Sequence, residues 1–157
     1  MNQTIESLPF RDRARDYFLS GYNCAQAVYA AFAPALGIPE EEALRLASPF
    51  GGGFGRMREV CGAFSGMSLV IGNLFGYSEL SAPEKNALYP RMQMLGDRFR
   101  NRFGNLVCRE LLQNKVPSGG LAAERTSDYY ATRPCARLVE GAAEILEEYL
   151  REEGVLR

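Results

Sequence analysis

The sequence predicts an all-α protein, a bundle of about six helices with a glycine-rich helix at its centre. Three observations predict it. Apolar residues recur three and four positions apart almost throughout, and no run alternates convincingly with period two. Glycines and prolines fall where such helices would start and stop. No repeat, low-complexity tract or composition shift divides the 157 residues, so one helical domain over 1–157 is expected.

The elements follow in order. Phe10, Ala14, Tyr17 and Phe18 mark one face of a first helix that should stop at Gly21. Asn23 is a good cap for a second, and Gln26 three residues on completes a capping box. Ala27, Val28, Ala31 and Phe32 continue that helix, and Pro34 and Gly37 end or kink it. Pro39 followed by Glu40, Glu41 and Glu42 opens a short third helix, since carboxylates in the first turn oppose the positive end of the dipole. Ser48-Pro49 closes it. After the glycine run 51–55, an uncharged helix is expected from about Arg56 to Phe75. Ser81 and Glu84 read as a capping box around Pro83, starting a long helix to about Phe103, kinked at Pro90 and stopped by Gly104. Asn105 reads as the cap of a short helix holding Cys108, Leu111 and Leu112. Residues 114–132, with Pro117, Gly119 and Gly120, read as a long irregular loop. Pro134 opens a last helix whose apolar face is Leu138, Val139, Ala142, Leu146, Tyr149 and Leu150, with Glu140, Glu144, Glu147 and Glu148 opposite.

Charge and composition exclude several functions. A net charge of −1 gives no reason to expect nucleic acid or an anionic membrane as partner. There is no His, which removes the usual general base and commonest metal ligand and excludes a Ser–His or Cys–His nucleophile pair. Met1 to Phe18 mixes charges and lacks an apolar leader segment, so a cytoplasmic protein with reduced cysteines is expected. Val60 to Ser78 carries no charge, but its glycines, serines and Asn73 favour a core helix over a membrane span.

Chemistry must then run through Cys24, Cys61, Cys108 and Cys135, which lie 37, 47 and 27 positions apart. No pair is CxxC, so neither a zinc ribbon nor a thioredoxin-type motif is present. Cys24, Cys108 and Cys135 fall in predicted first helical turns, where free N–H groups and the dipole favour thiolate over thiol. Arg109, Arg133 and Arg137 adjoin them and add to that effect if they point inward. Cys61 is expected inside the glycine-rich helix, whose Gly62 and Gly66 share a face that lets another backbone approach. The plain alternative is four small buried hydrophobes.

These residues have a familiar order. Gly21-Tyr22-Asn23-Cys24-Ala25-Gln26-Ala27-Val28 is followed by Gly51-Gly52-Gly53-Phe54-Gly55-Arg56-Met57, then Glu59-Val60-Cys61-Gly62-Ala63-Phe64-Ser65-Gly66, Cys108-Arg109-Glu110-Leu111-Leu112 and a late Cys135. The series resembles the C_GCAxxG_C_C family, small proteins assigned redox activity from four cysteines and a CGAxxG motif, which Cys61, Gly62, Ala63 and Gly66 fill here. The resemblance runs from about Gly21 to the last helix. It implies redox chemistry and genes often near transporters, and brings no substrate or settled mechanism.

Three functions stay open at this level besides buried packing. The first is thiol–disulfide chemistry with all four cysteines as catalytic candidates. The second is a four-cysteine site for zinc or an iron–sulfur cluster. The third is a redox sensor or adaptor for a redox partner or transporter protein, and glycine-bearing helices also allow a homo-oligomer. The Gly51–Gly55 run could cradle phosphate with Arg56 nearby, but no GxxxxGK[ST] signature is present, and close packing near Cys61 is the better reading. Glu59 reads as a surface carboxylate rather than an acid or base, and Tyr22, Phe50, Phe54 and Phe64 as core rather than a cofactor platform.

Overall fold

The computed structural model describes residues 9–156; the part of the N-terminal stretch up to residue 8, read above as lacking a leader, and residue 157 lie outside them. The described residues form eight α-helices: α1 (Phe10–Leu19), α2 (Cys24–Leu36), α3 (Glu40–Ala47), α4 (Gly62–Phe75), α5 (Glu84–Phe103), α6 (Cys108–Leu111), α7 (Ser127–Thr132) and α8 (Cys135–Glu152). A 3₁₀ turn, Ser48–Phe50, follows α3. There is no strand among them; a single antiparallel bridge joins Val60 to Val107. The fold is all-α, with six helices of eight residues or more.

The helix α2 lies deepest. Ala25 and every residue from Ala27 to Ala33 are buried, so it is apolar around its whole circumference and must be covered on all sides. α1, α3, α4 and α8 cover it. On α1, Phe10 stacks on Phe32 with ring centroids 4.3 Å apart. On α4, the small face packs directly on α2: a Cβ on Gly62 would meet Ala25 N at 3.3 Å, and one on Gly66 would meet Val28 Cβ at 2.8 Å. Leu138, Val139, Ala142, Leu146, Tyr149 and Leu150 of α8 are buried as its pattern predicts. Its carboxylates are not simply solvated. Glu144 and Glu152, with Glu153 just past the helix, pair with Arg102, Arg98 and Arg91 of α5, and Glu140 with Arg15 of α1. Such half-exposed pairs fix orientation more than they stabilise. Among the described residues no helix is long and apolar enough to cross a membrane.

Local signals decided most boundaries. The Asn23–Gln26 capping box is present in both directions. Gly37 ends α2 at φ 70°, with the Ile38 amide bonded back to Ala33 O, and the helix runs through Pro34 to reach it. Gly104, at φ 95°, ends α5. Three expectations fail. The Ser81–Glu84 box does not form; α5 starts from Pro83 with no side-chain cap, after turns in which Lys85 and Asn86 bond to Ala82 and Pro83. Asn105 does not cap α6; its Oδ1 accepts from the amides of Leu106 and Val107 and steers the chain into the Val60 bridge. The expected long loop contains α7, capped by the Thr126 hydroxyl on the Tyr129 amide.

Candidate functional site

All four cysteines stand at helix starts. Cys24, Cys108 and Cys135 are the first residues of α2, α6 and α8. Cys61 is the residue before α4 rather than a residue inside it, which corrects the sequence expectation. The cause is tertiary: Val60 bridges Val107, the Cys61 amide donates to Leu106 O, and the Cys108 amide donates to Glu59 O at 2.5 Å. These bonds hold the chain extended until Gly62.

The segment before Cys61 is a left-handed turn. Gly52, Gly53, Phe54, Gly55 and Arg56 lie at φ between 58° and 70°, and Arg58 at 59°. Five consecutive residues of this hand are unusual, and each non-glycine costs about 1–2 kcal/mol. Gly53 also has no room for a side chain: a Cβ there would sit 2.5 Å from Cys108 Cβ and 2.8 Å from Arg58 Cα. Cross-bonds from the Gly55, Arg58 and Glu59 amides to Pro49, Gly52 and Gly53 lock the turn. Its result is to bury Arg58 beside Cys108.

The four helix starts converge on one cavity of about 410 Å³, lined by Cys24, Cys61, Cys108 and Cys135 together with Arg56, Arg58, Arg125 and Arg133. Among the described residues no carboxylate lines it. The thiols have different surroundings. Cys24 and Cys135 both line the cavity, and Cys24 beside it, helped by Arg133, Arg58 and Arg125, holds Cys135 below the usual thiol range against the opposing effect of burial. Cys135 in turn, with burial, pushes the Cys24 thiol well up. Burial drives Cys61 up to about 12, although the amides of Ala63 and Phe64 favour its ionised form. Burial raises Cys108 too, partly offset by Arg58, whose Nη1 lies 3.8 Å from Cys108 Sγ. Of the four thiols, Cys135 alone is shifted toward its ionised form, and Cys24 beside it is shifted toward its protonated form.

The family pattern described as "Putative redox-active protein (C_GCAxxG_C_C)" matches residues 22–149, a span holding all four cysteines. The chain belongs to the C_GCAxxG_C_C family. No curated protein and no solved structure matches it. In this C_GCAxxG_C_C protein the CGAxxG segment has a plain structural role: Cys61 ends the extended stretch, and Gly62 and Gly66 let α4 lie against the first turn of α2, beside Cys24.

Among the described residues no group of three or more Cys, His, Asp or Glu side chains is placed to hold a metal ion. The cysteines share a cavity without forming one ligand cluster, and Cys108 faces a guanidinium.

Of the three arginines that adjoin the cysteines in sequence only Arg133 lines the cavity, and Arg56, read beside the glycine run, lines it too. Arg109 turns outward to Glu59 at 2.9 Å, and Arg137 is exposed on another face. Glu59 is accordingly a surface carboxylate. Among the aromatics Phe64 is buried, whereas Tyr22 and Phe54 are exposed, so the core assignment fails for these two. Arg58, Arg125 and Tyr129 were missed; nothing local marks them, because residues 107 and 59 positions away supply their partners at Phe18 and Pro117.

Proposed function

We propose that this chain is a thiol–disulfide redox protein whose reacting pair is Cys135 and Cys24. The observation that carries the reading is that the two cysteines begin helices packed on one another and line one cavity, with Cys135 favoured as thiolate and Cys24 as thiol. The Cys135 thiolate attacks one sulfur of a disulfide R–S–S–R. That S–S bond breaks, a Cys135–S–R mixed disulfide forms, and the first RS⁻ leaves. The Cys24 thiol gives up its proton to that leaving thiolate and attacks Cys135 Sγ. The second RS⁻ departs, a Cys24–Cys135 disulfide remains, and two electrons have passed to the substrate. A dithiol reverses the sequence. Cys61 stays protonated and packs against the Leu106 turn, and Cys108 is held by Arg58. Such chemistry suits a reducing cytosol, where resting thiols stay reduced.

The test is to oxidise the reduced protein with a small disulfide, block remaining thiols and map linked peptides. A Cys24–Cys135 link is expected, absent in C135S. A Cys61–Cys108 link, or four free thiols, contradicts the assignment.

A further inference from the structure

We infer that the cysteine cavity takes a small anionic disulfide, one of whose carboxylates docks on the unpartnered Nη2 of Arg58. The inference deepens the thiol–disulfide reading and rests on it.

Arg58 carries the argument. It is 3% exposed, and it lines the cavity. Its Nε donates to Pro117 O at 3.1 Å and its Nη1 lies near Cys108 Sγ, but its buried Nη2 has no partner. Buried polar groups are nearly always satisfied, and a buried charge is nearly always paired. No ion pair to Arg58 is present among the described residues. A guanidinium left half-satisfied at a cavity wall is complete only when something fills the cavity, and its planar fork matches a carboxylate.

The rest of the wall has the same sign. Arg56 is tied by Nε to Gly119 O, Arg125 to Phe18 O and Tyr22 O, and Arg133 lies over the Tyr129 ring. The starts of α2, α4 and α8, each longer than eight residues, add the positive ends of their dipoles. Against four guanidinium groups stands one favoured thiolate, Cys135. A low-dielectric cavity focuses that field on the attacking sulfur, so a disulfide bearing negative charge is drawn to Cys135 and its departing thiolate is stabilised there. A volume of about 410 Å³ suits a small molecule rather than a folded protein's cystine.

The balance is that of the reaction above: two protein thiols become one disulfide, and the substrate leaves as two carboxylate-bearing thiols.

The experiment compares single-turnover oxidation of reduced wild type by three disulfides of similar size: dianionic 3,3′-dithiodipropionate, neutral 2-hydroxyethyl disulfide and dicationic cystamine. Each rate is divided by the rate of the same disulfide with dithiothreitol, which removes intrinsic reactivity. The dianion is expected to exceed the neutral compound by roughly tenfold or more and cystamine to be slowest, with the advantage shrinking in high salt. Arg58→Met should slow all three disulfides, because Arg58 also favours the Cys135 thiolate, and should in addition bring the dianion's normalised rate down to that of the neutral compound. If that variant does not fold, the salt dependence and charge order of the wild type decide alone. Equal normalised rates for the three disulfides overturn the anion site and leave the thiol reading standing. No oxidation by any of them overturns the thiol reading itself.

Discussion

Gly66 of α4 lies so close to Ala25 of α2 that a Cβ on the glycine would fall 2.8 Å from the Ala25 carbonyl oxygen. Backbone cannot yield as a side chain can, so the two central helices would have to part. Gly66→Ala should therefore destabilise the fold by about 1–3 kcal/mol in denaturant unfolding. Gly72, on the same helix but exposed and with nothing within 4 Å, is the control. There the same change should stabilise by about 0.5–1 kcal/mol, through helix propensity alone.

Cys61 gives stability a pH dependence. In the folded chain its thiol stays protonated up to about 12, against an ordinary value of 9.0. Between those values the unfolded chain binds fewer protons than the folded one, so stability falls as pH rises through that window. Each pH unit within it costs about 1.4 kcal/mol from this group. The Cys61 contribution is intact below pH 9, and Cys61→Ala should flatten the wild-type decline between pH 9 and 10.5. Equal slopes for the two proteins would show that Cys61 does not carry the effect.

Cys135 should be the first thiol modified by iodoacetamide, with a pH midpoint below that of an ordinary thiol, because Cys24 and three arginines favour its thiolate. Removing the largest cause in Cys24→Ala should move that midpoint upward. Peptide-resolved alkylation between pH 5 and 10 reads both effects; first modification at Cys61 or Cys108 goes against this order.

Arg125 ties the segment before α7 to the end of α1. It donates to Phe18 O at 3.0 Å and Tyr22 O at 2.7 Å, and its guanidinium lies 4.4 Å from the Phe18 ring centroid and 4.7 Å from that of Tyr129. Lysine cannot reproduce the fork or the stacking. Arg125→Lys should cost about 1–3 kcal/mol and speed proteolysis within residues 113–126. Unchanged proteolysis would mean that the segment is held by other contacts.

The helices were legible where a local signal fixes them. Asn23 with Gln26, Gly37, Gly104 and the α8 stripe each state their own boundary. The site was half legible. Cysteines at helix starts could be read at positions 24, 108 and 135, but Cys61 could not, because a bridge to Val107 and a left-handed turn hold 56–61 out of helix. The glycine run just before it was the available clue. α7 could have been found from Thr126 followed by Ser127 and Asp128, a cap with an acid in the first turn. Arg58 had no clue at all. Its importance comes from an orphaned amino group, which exists only once the chain has folded around it.

The most direct test of the central claim is the mass of Cys24→Ser after brief exposure of the reduced protein to 2-hydroxyethyl disulfide. With the second sulfur of the pair removed, the reaction should stop half-way, and one mercaptoethanol adduct should accumulate on Cys135. An adduct on Cys61 or Cys108 instead, or a closed intramolecular disulfide formed as readily as in wild type, would contradict the account.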